Sequence, residues 1–451
     1  MRWHPALMMI ATWSLCAFLL FTLPLRIVDR DITVYGYLMM FLSILIFCVG
    51  SLLKTPLLRQ RHAPFVYQTD FTLADRVIMV VAIIAIFAST FDLFAGSGGD
   101  LAAAWQIRSS RTTAIIDGTD SGSSLAFQLG FLTHPIGYVA IAREIIFERR
   151  PRFARLLLVG FGPLLMVSLS LGGRGPLLFS LVMSGLSFAT RQFVFRDARR
   201  QLARKMSAQG LFVVLVSSVI FFASLNYFVQ VFIVRAGGAD AIGDIFARTG
   251  DTWGVAFDGP TAEWMKSVLG LGNTYLIFVF SWYLVQGMVI GNVMFTSYHA
   301  SPMLGVYGIE LLLSFSRRFG GSFVSQHFVE LDRINTFGFV SSAFGTLYVD
   351  YWFFGFAVTL GWGYLAGLVY SKSRTSFDGR WLLLVPFFIQ GILFSLINTP
   401  FGLSNGLTSY IWLFVIFRIA KLDKSRFLIA TRRPQPPVVV PTPLDQVGAV
   451  D

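Results

Sequence analysis

Long apolar runs alternate with short charged connections along most of this chain. Runs of roughly 17 to 25 residues, the length that carries an α-helix across a bilayer, lie at about 7–25, 32–53, 77–95, 125–142, 154–171, 176–194 and 210–234. Three more follow a long interruption, at about 352–370, 381–398 and 405–420. The pattern predicts an all-α polytopic membrane protein. Between Arg235 and Tyr351 the stretch 271–291 (LGNTYLIFVFSWYLVQGMVIG) is apolar enough to cross, yet no flanking charge orients it. A return crossing would need 301–316 or 336–350, both short or interrupted by Pro302, Gly305 and Gly308. We therefore expect one large external loop of helices lying in the interface and ten crossings in all, with twelve as the alternative.

Charge orients these segments. Lys and Arg gather in alternate connections: Lys54, Arg59, Arg61 and Arg76; Arg143, Arg149, Arg150, Arg152 and Arg155; Arg191, Arg196, Arg199, Arg200, Arg204 and Lys205. Such loops face the cytoplasm. Lys372, Arg374 and Arg380, then Lys421, Lys424 and Arg426, continue the alternation and put both chain ends on that side. The organisation expected is seven helices in 1–235, a periplasmic loop with interfacial helices in 236–351, and the C-terminal helices in 352–420. A proline-rich cytoplasmic tail, 421–451, is expected to be disordered. A second external loop, Gly96–Ser124, is rich in Gly and Ser, carries Trp105, Arg108 and Arg111, and could cover a groove.

Composition narrows the class. Apolar residues make up 55% and charged residues 13%, where a soluble domain carries about 25% charged residues. A net charge of +12 would suggest nucleic acid in a soluble protein, but here the cations sit in short connections as orientation signals, so nucleic acid is rejected. Cys16 and Cys48 fall at different predicted depths, which argues against a disulfide. No zinc spacing, nucleotide fingerprint or DxD-like pair in an external loop occurs, which disfavours a sugar-nucleotide enzyme. The first apolar run is read as a retained helix and not a cleaved signal. No internal repeat is evident, against transporters built from duplicated halves.

Candidate chemistry concentrates on the external side. The turn SLSLGGRGPLL places Arg174 among Gly172, Gly173 and Gly175, with Pro176 opening the next helix. Glycines allow close backbone approach, helix N-terminal amides attract anions, and arginine binds phosphate as a fork. That combination describes a phosphate grip, and equally a headgroup anchor on a glycine turn. Further external cations are Arg235, the pair Arg317 and Arg318, and Arg333. A diphosphate needs several cations converging in a partly dry site, so Arg174 should meet Arg317 or Arg318. For proton transfer the candidates are His327, Asp332 and Asp350, with Glu330 and His299 nearby. Arg333 beside Asp332 also suggests a structural ion pair, and His134 beside Pro135 suits a hydrogen bond at a kink. Asp92, near the outer end of the third crossing, could face the same cavity.

Two stretches resemble the oligosaccharide repeat-unit polymerases, the O-antigen polymerase (Wzy-type) family of bacterial inner membranes. One is Gly172-Gly173-Arg174-Gly175; the other is Asn335-Thr336-Phe337, followed by Tyr348-Val349-Asp350-Tyr351, Gly355 and a glycine-rich helix ending at Tyr370. Trp352 departs from the pattern, which leads us to expect glycine there. The resemblance implies a GT-C-like fold and transfer of a growing glycan from undecaprenyl diphosphate onto a newly flipped lipid-linked repeat unit, at the periplasmic face. It implies that Arg174, with Arg317 or Arg318, steadies the departing diphosphate, that Asp332, His327 or Asp350 handles the acceptor proton, and that no metal or other cofactor is needed. Donor and acceptor glycolipids, and a chain-length regulator and flippase of the same pathway, are the partners it implies. An O-antigen ligase, sharing the donor but not the acceptor, is the nearest rival. A lipid-linked oligosaccharide flippase, which would line a passage with charges deep between helices, is a more distant one.

Overall fold

The computed structural model of the 451-residue chain describes residues 4–28, 30–54, 65–100, 124–148, 150–171, 173, 175–194, 241–319, 321–334, 336, 339–376, 378–402 and 405–429. The first crossings are α1 (Pro5–Thr22) and α2 (Val34–Leu52), joined by a connection that holds strand β1 (Leu25–Ile27). Proline at the first position starts α1, and the Thr33 hydroxyl caps α2 by accepting from the Gly36 amide at 3.1 Å. Strand β2 (Phe65–Asp70) precedes α3 (Thr72–Ser97). Helices α4 (Leu125–Thr133) and α5 (Ile136–Phe147) form one apolar run bent at His134-Pro135. A turn at Phe153–Arg155 and a π-helical stretch at Leu156–Phe161 lead into α6 (Gly162–Leu171), and α7 (Gly175–Val194) returns. The apolar run expected at 210–234 lies outside the described residues.

The second half opens with α8 (Ala241–Ala247), α9 (Thr249–Trp253) and strand β3 (Val255–Phe257), which pairs antiparallel with β1. Then come α10 (Pro260–Ser297), α11 (Glu310–Phe319), α12 (Gly321–Arg333), α13 (Ser342–Tyr351), α14 (Gly355–Thr375), α15 (Trp381–Leu393) and α16 (Gly406–Ile419). Among the described residues, seven helical runs are long and apolar enough to cross a membrane. The chain is thus a mostly helical, multi-pass membrane protein, with two small antiparallel ribbons added to the helices.

Two features depart from the hydropathy reading. The first is strand β4 (Lys421–Ile429), which pairs with β2 from Asp70↔Lys421 to Phe65↔Ile429 where a disordered tail is expected. Each short strand satisfies the backbone groups the other leaves open; residues 430–451 lie outside the described set. The second is the stretch expected to lie wholly in an external loop. Helix α10 qualifies by length and composition to cross, but it breaks at Gly270 (φ +77°) and its apolar part is tied at two places to the connection between α1 and α2. Near its start Phe278 packs on Trp253 and Phe257, both at 5.6 Å between ring centroids, and Phe257 lies on the β3 strand that pairs with β1. Near its end Asn292 accepts from the Thr33 amide at 3.0 Å and donates to the Thr33 carbonyl at 2.9 Å. Between these ties the Cys16 thiol of α1 donates to the Leu284 carbonyl at 3.5 Å, so the helix packs into the bundle beside α1 and α2. Helix α13 is buried along nearly its whole length against α10, with Gly291 and Gly345 allowing close approach. The packed interior accordingly begins before the boundary expected at 351.

Helices α2 and α14 run side by side on glycine. A Cβ on Gly50, Gly363 or Gly367 would fall 2.2–2.3 Å from a carbonyl oxygen of the facing helix, so only hydrogen fits there. The basic ends of the helices come together at one end of the bundle. There Arg143 contacts Asp75 at 2.6 Å, Glu144 at 3.0 Å and Glu148 at 2.6 Å; Arg155 reaches Asp75 at 2.7 Å, and Arg191 donates to the Ile145 carbonyl at 2.6 Å. Residues that read as orientation signals are therefore also a buried ionic network, with the Arg143 side chain 7% exposed.

Candidate functional site

At the opposite end, α13 presents a buried polar row. Ser342, Thr346 and Asp350 recur every four residues and so share one face. The Asp350 carboxylate, 1% exposed, closes the row. Its Oδ1 accepts from the Tyr307 amide at 3.0 Å and its Oδ2 from the Gly308 amide at 2.8 Å. The Met303 and Leu304 amides donate to the Val349 and Asp350 carbonyls at 3.1 and 2.9 Å, so the connection 298–309 is strapped over the end of the helix. Glycine is required at 308, because a Cβ there would lie 2.6 Å from Oδ2 of Asp350. The Tyr307 hydroxyl then donates to the Ser341 hydroxyl at 3.3 Å, which shares a 2.8 Å hydrogen bond with Thr346. Burial, opposed by Ser341 and reinforced by the Asp350 charge, pushes the Tyr307 phenol up to about 12.

His327, on α12, meets the same strap. Its Nε2 lies 2.9 Å from the Ser301 hydroxyl, its ring is 5% exposed, and the Tyr298 hydroxyl donates to the Ser301 carbonyl at 3.0 Å. His327 and Asp350 are thus joined through one connection, as separate anchors of it. Asp350 spends both oxygens on backbone donors, which marks it as a positioning group. Asp332 is exposed on α12. Arg333 does not pair with it: its guanidinium grips Glu330 through two bonds of 2.8 Å, the i,i+3 neighbour that helix geometry favours over the adjacent residue. Those bonds hold Glu330 below the usual carboxylate range.

Backbone strain gathers here too. Among the described residues, positive φ at a non-glycine occurs at Leu304 (+53°), Ser342 (+61°), Trp352 (+50°) and Asn405 (+63°). The first lies in the strap and the next two bound α13 on either side. Each such residue costs on the order of 1–3 kcal/mol, and such strain clusters at functional sites. Trp352 occupies the position where the resemblance leads us to expect glycine, the residue that takes positive φ without steric cost; its indole N–H donates to the Ala300 carbonyl at 3.0 Å.

The candidate cations are less fully described. Arg174 and Arg235 lie outside the described residues. Arg317 and Arg318 fall in α11, and their side chains lie outside the described set, as does their convergence with Arg174. Flanking the Arg174 turn, Tyr138 donates to the Pro176 carbonyl at 3.3 Å, and Asp92 accepts from Ser170 and Ser124 at 2.7 Å each. His134 lies 3.1 Å from the Gly130 carbonyl at the bend. The sequence reading missed Arg30, which donates to the Trp253 carbonyl and lies 4.9 Å over the Phe339 ring. Nothing local in the sequence signals it, since its partners are more than two hundred positions away. No family model, curated protein or solved structure matches the chain.

Proposed function

We propose that the chain is a glycosyltransferase of the bacterial inner membrane that polymerises undecaprenyl-diphosphate-linked oligosaccharide repeat units at the periplasmic face. The observation that carries the reading is the strained, buried polar row of α13 with its His327-anchored strap, set at the end of the bundle away from the basic connections. Buried ionisable groups within membrane helices are costly and are retained where they serve function. Since basic connections tend to face the cytoplasm, the proposal takes the opposite end as periplasmic and both termini as cytoplasmic. In this reading the acceptor hydroxyl attacks the anomeric carbon of the donor glycan, and the bond to the diphosphate oxygen breaks with its electron pair. The acceptor proton passes to the Ser301–His327 pair, while Arg174, with Arg317 or Arg318 and Arg235, neutralises the leaving diphosphate. Asp350 and its amide partners hold the strap in register for that transfer. Ten crossings with a GT-C-like arrangement accompany the proposal.

The test is the lipid-linked glycan profile of a strain lacking the gene. Single repeat units accumulating on the carrier, restored to chains by the wild-type gene, support polymerisation. Full-length chains accumulating on the carrier would mean a ligase, and units retained on the cytoplasmic leaflet would mean a flippase.

A further inference from the structure

The basic end of the bundle carries a cleft that the proposed glycan chemistry does not use. This cleft of about 220 Å³ opens where α3 begins, α16 ends and the β2–β4 ribbon crosses them. It is lined by Asp70, Thr72, Leu73, Arg76, Ile419 and Lys421. Its two cations, Arg76 and Lys421, outnumber its one carboxylate. Next door, Arg143 and Arg155 are matched by Asp75, Glu144 and Glu148. Among the described residues, Arg76 and Lys421 form no ion pair, although Arg76 directly follows Asp75 in sequence. The cleft's single carboxylate, Asp70, accepts through one oxygen from the Thr72 amide at 2.9 Å and the Thr72 hydroxyl at 2.6 Å at the start of α3, and its charge is also attracted by Lys421, which leaves the cleft with a net positive charge.

The apolar side of the cleft points to the ligand class. Leu73 sits at the head of an exposed stripe on α3 that continues through Val80, Ile84, Phe87 and Phe91. Their spacing of seven, four, three and four residues keeps them on one face of the helix. Arg76 lies one turn beyond Leu73, where that face meets the cleft. A cationic pocket at the head of a lipid-facing apolar stripe matches a phosphodiester with its acyl chains attached. We propose that this cleft binds the phosphate of an anionic phospholipid, through Arg76 and Lys421, with the acyl chains laid along the Leu73–Phe91 stripe.

The test uses the full chain in nanodiscs of phosphatidylcholine with and without phosphatidylglycerol, read by thermal unfolding, and in detergent by native mass spectrometry of retained lipid. Phosphatidylglycerol should raise the unfolding midpoint of the wild type. R76Q/K421Q should match the wild type in pure phosphatidylcholine, lose that rise, and retain phosphatidylglycerol roughly 30-fold less tightly, as two juxtamembrane cations imply. R76K/K421R should keep most of the effect. Equal stabilisation of wild type and R76Q/K421Q overturns the proposal. So does stabilisation of the lipid-free chain by inorganic phosphate with none from phosphatidylglycerol, which would make this a soluble-anion site. Should the double variant lose its fold in phosphatidylcholine, R76Q and K421Q singly are read by the same criteria.

Discussion

Replacing Asp350 tests whether the strap over α13 is held by that side chain. The carboxylate takes two backbone amides, at 3.0 and 2.8 Å, in a site only 1% exposed. A hydrogen bond to a charged group contributes about 1.5–3 kcal/mol, and a buried donor left unpaired costs about 1–3 kcal/mol. Asp350→Asn keeps one acceptor oxygen and turns an amide NH₂ toward the other donor, so it should weaken the strap by roughly 2–3 kcal/mol. Asp350→Ala removes both acceptors and should cost roughly 3–6 kcal/mol. A factor of ten corresponds to about 1.4 kcal/mol, so local opening should rise about 30- to 140-fold in the Asn variant. The assay is hydrogen exchange of a peptide spanning 301–309, with a peptide of the α2–α14 glycine contact as the internal reference. Loss of protection confined to the strap in Asn, and larger in Ala, is expected. Exchange at the Tyr307 and Gly308 amides that is unchanged in both variants would refute the reasoning.

Three further outcomes follow from the contacts. Arg143→Ala leaves Glu144 and Asp75 partly buried with a partner gone, which should cost about 3–5 kcal/mol and reduce the monodisperse fraction in size-exclusion chromatography far more than Lys266→Ala. Arg333→Ala, by contrast, removes a pair whose arginine is 67% exposed, so the thermal midpoint should stay close to that of the wild type. Gly363→Leu should separate α2 from α14, because a Cβ there already falls 2.2 Å from the Phe47 carbonyl oxygen; a cysteine cross-link between 47 and 363 neighbours that still forms at the wild-type rate would contradict this.

Hydropathy and charge spacing made most helices legible, because lipid length and the cost of charge in lipid act on contiguous sequence. The β2–β4 ribbon was not legible, since its strands lie some 350 positions apart and alternate weakly. Nor was the path of α10: its apolar run states only that it can leave water, while its placement depends on Asn292 meeting Thr33. At the candidate site, His327 and Asp350 stood out by residue type, as ionisable groups beside membrane helices. That Asp350 is a clasp for Tyr307 and Gly308 depends on a turn forty residues earlier, and no local spacing reports it. Arg333 could have been assigned from helix geometry alone, since Glu330 lies one turn back whereas Asp332 points elsewhere.

The central claim is tested most directly with purified chain in proteoliposomes, given a defined undecaprenyl-diphosphate-linked repeat unit and read by gel and mass spectrometry. The account predicts a ladder of two and more repeat units from the wild type, and none from Arg174→Ala or Arg174→Lys, because a point charge does not replace a guanidinium fork on a diphosphate. No ladder from the folded wild-type chain, or undiminished ladders from both variants, would contradict it.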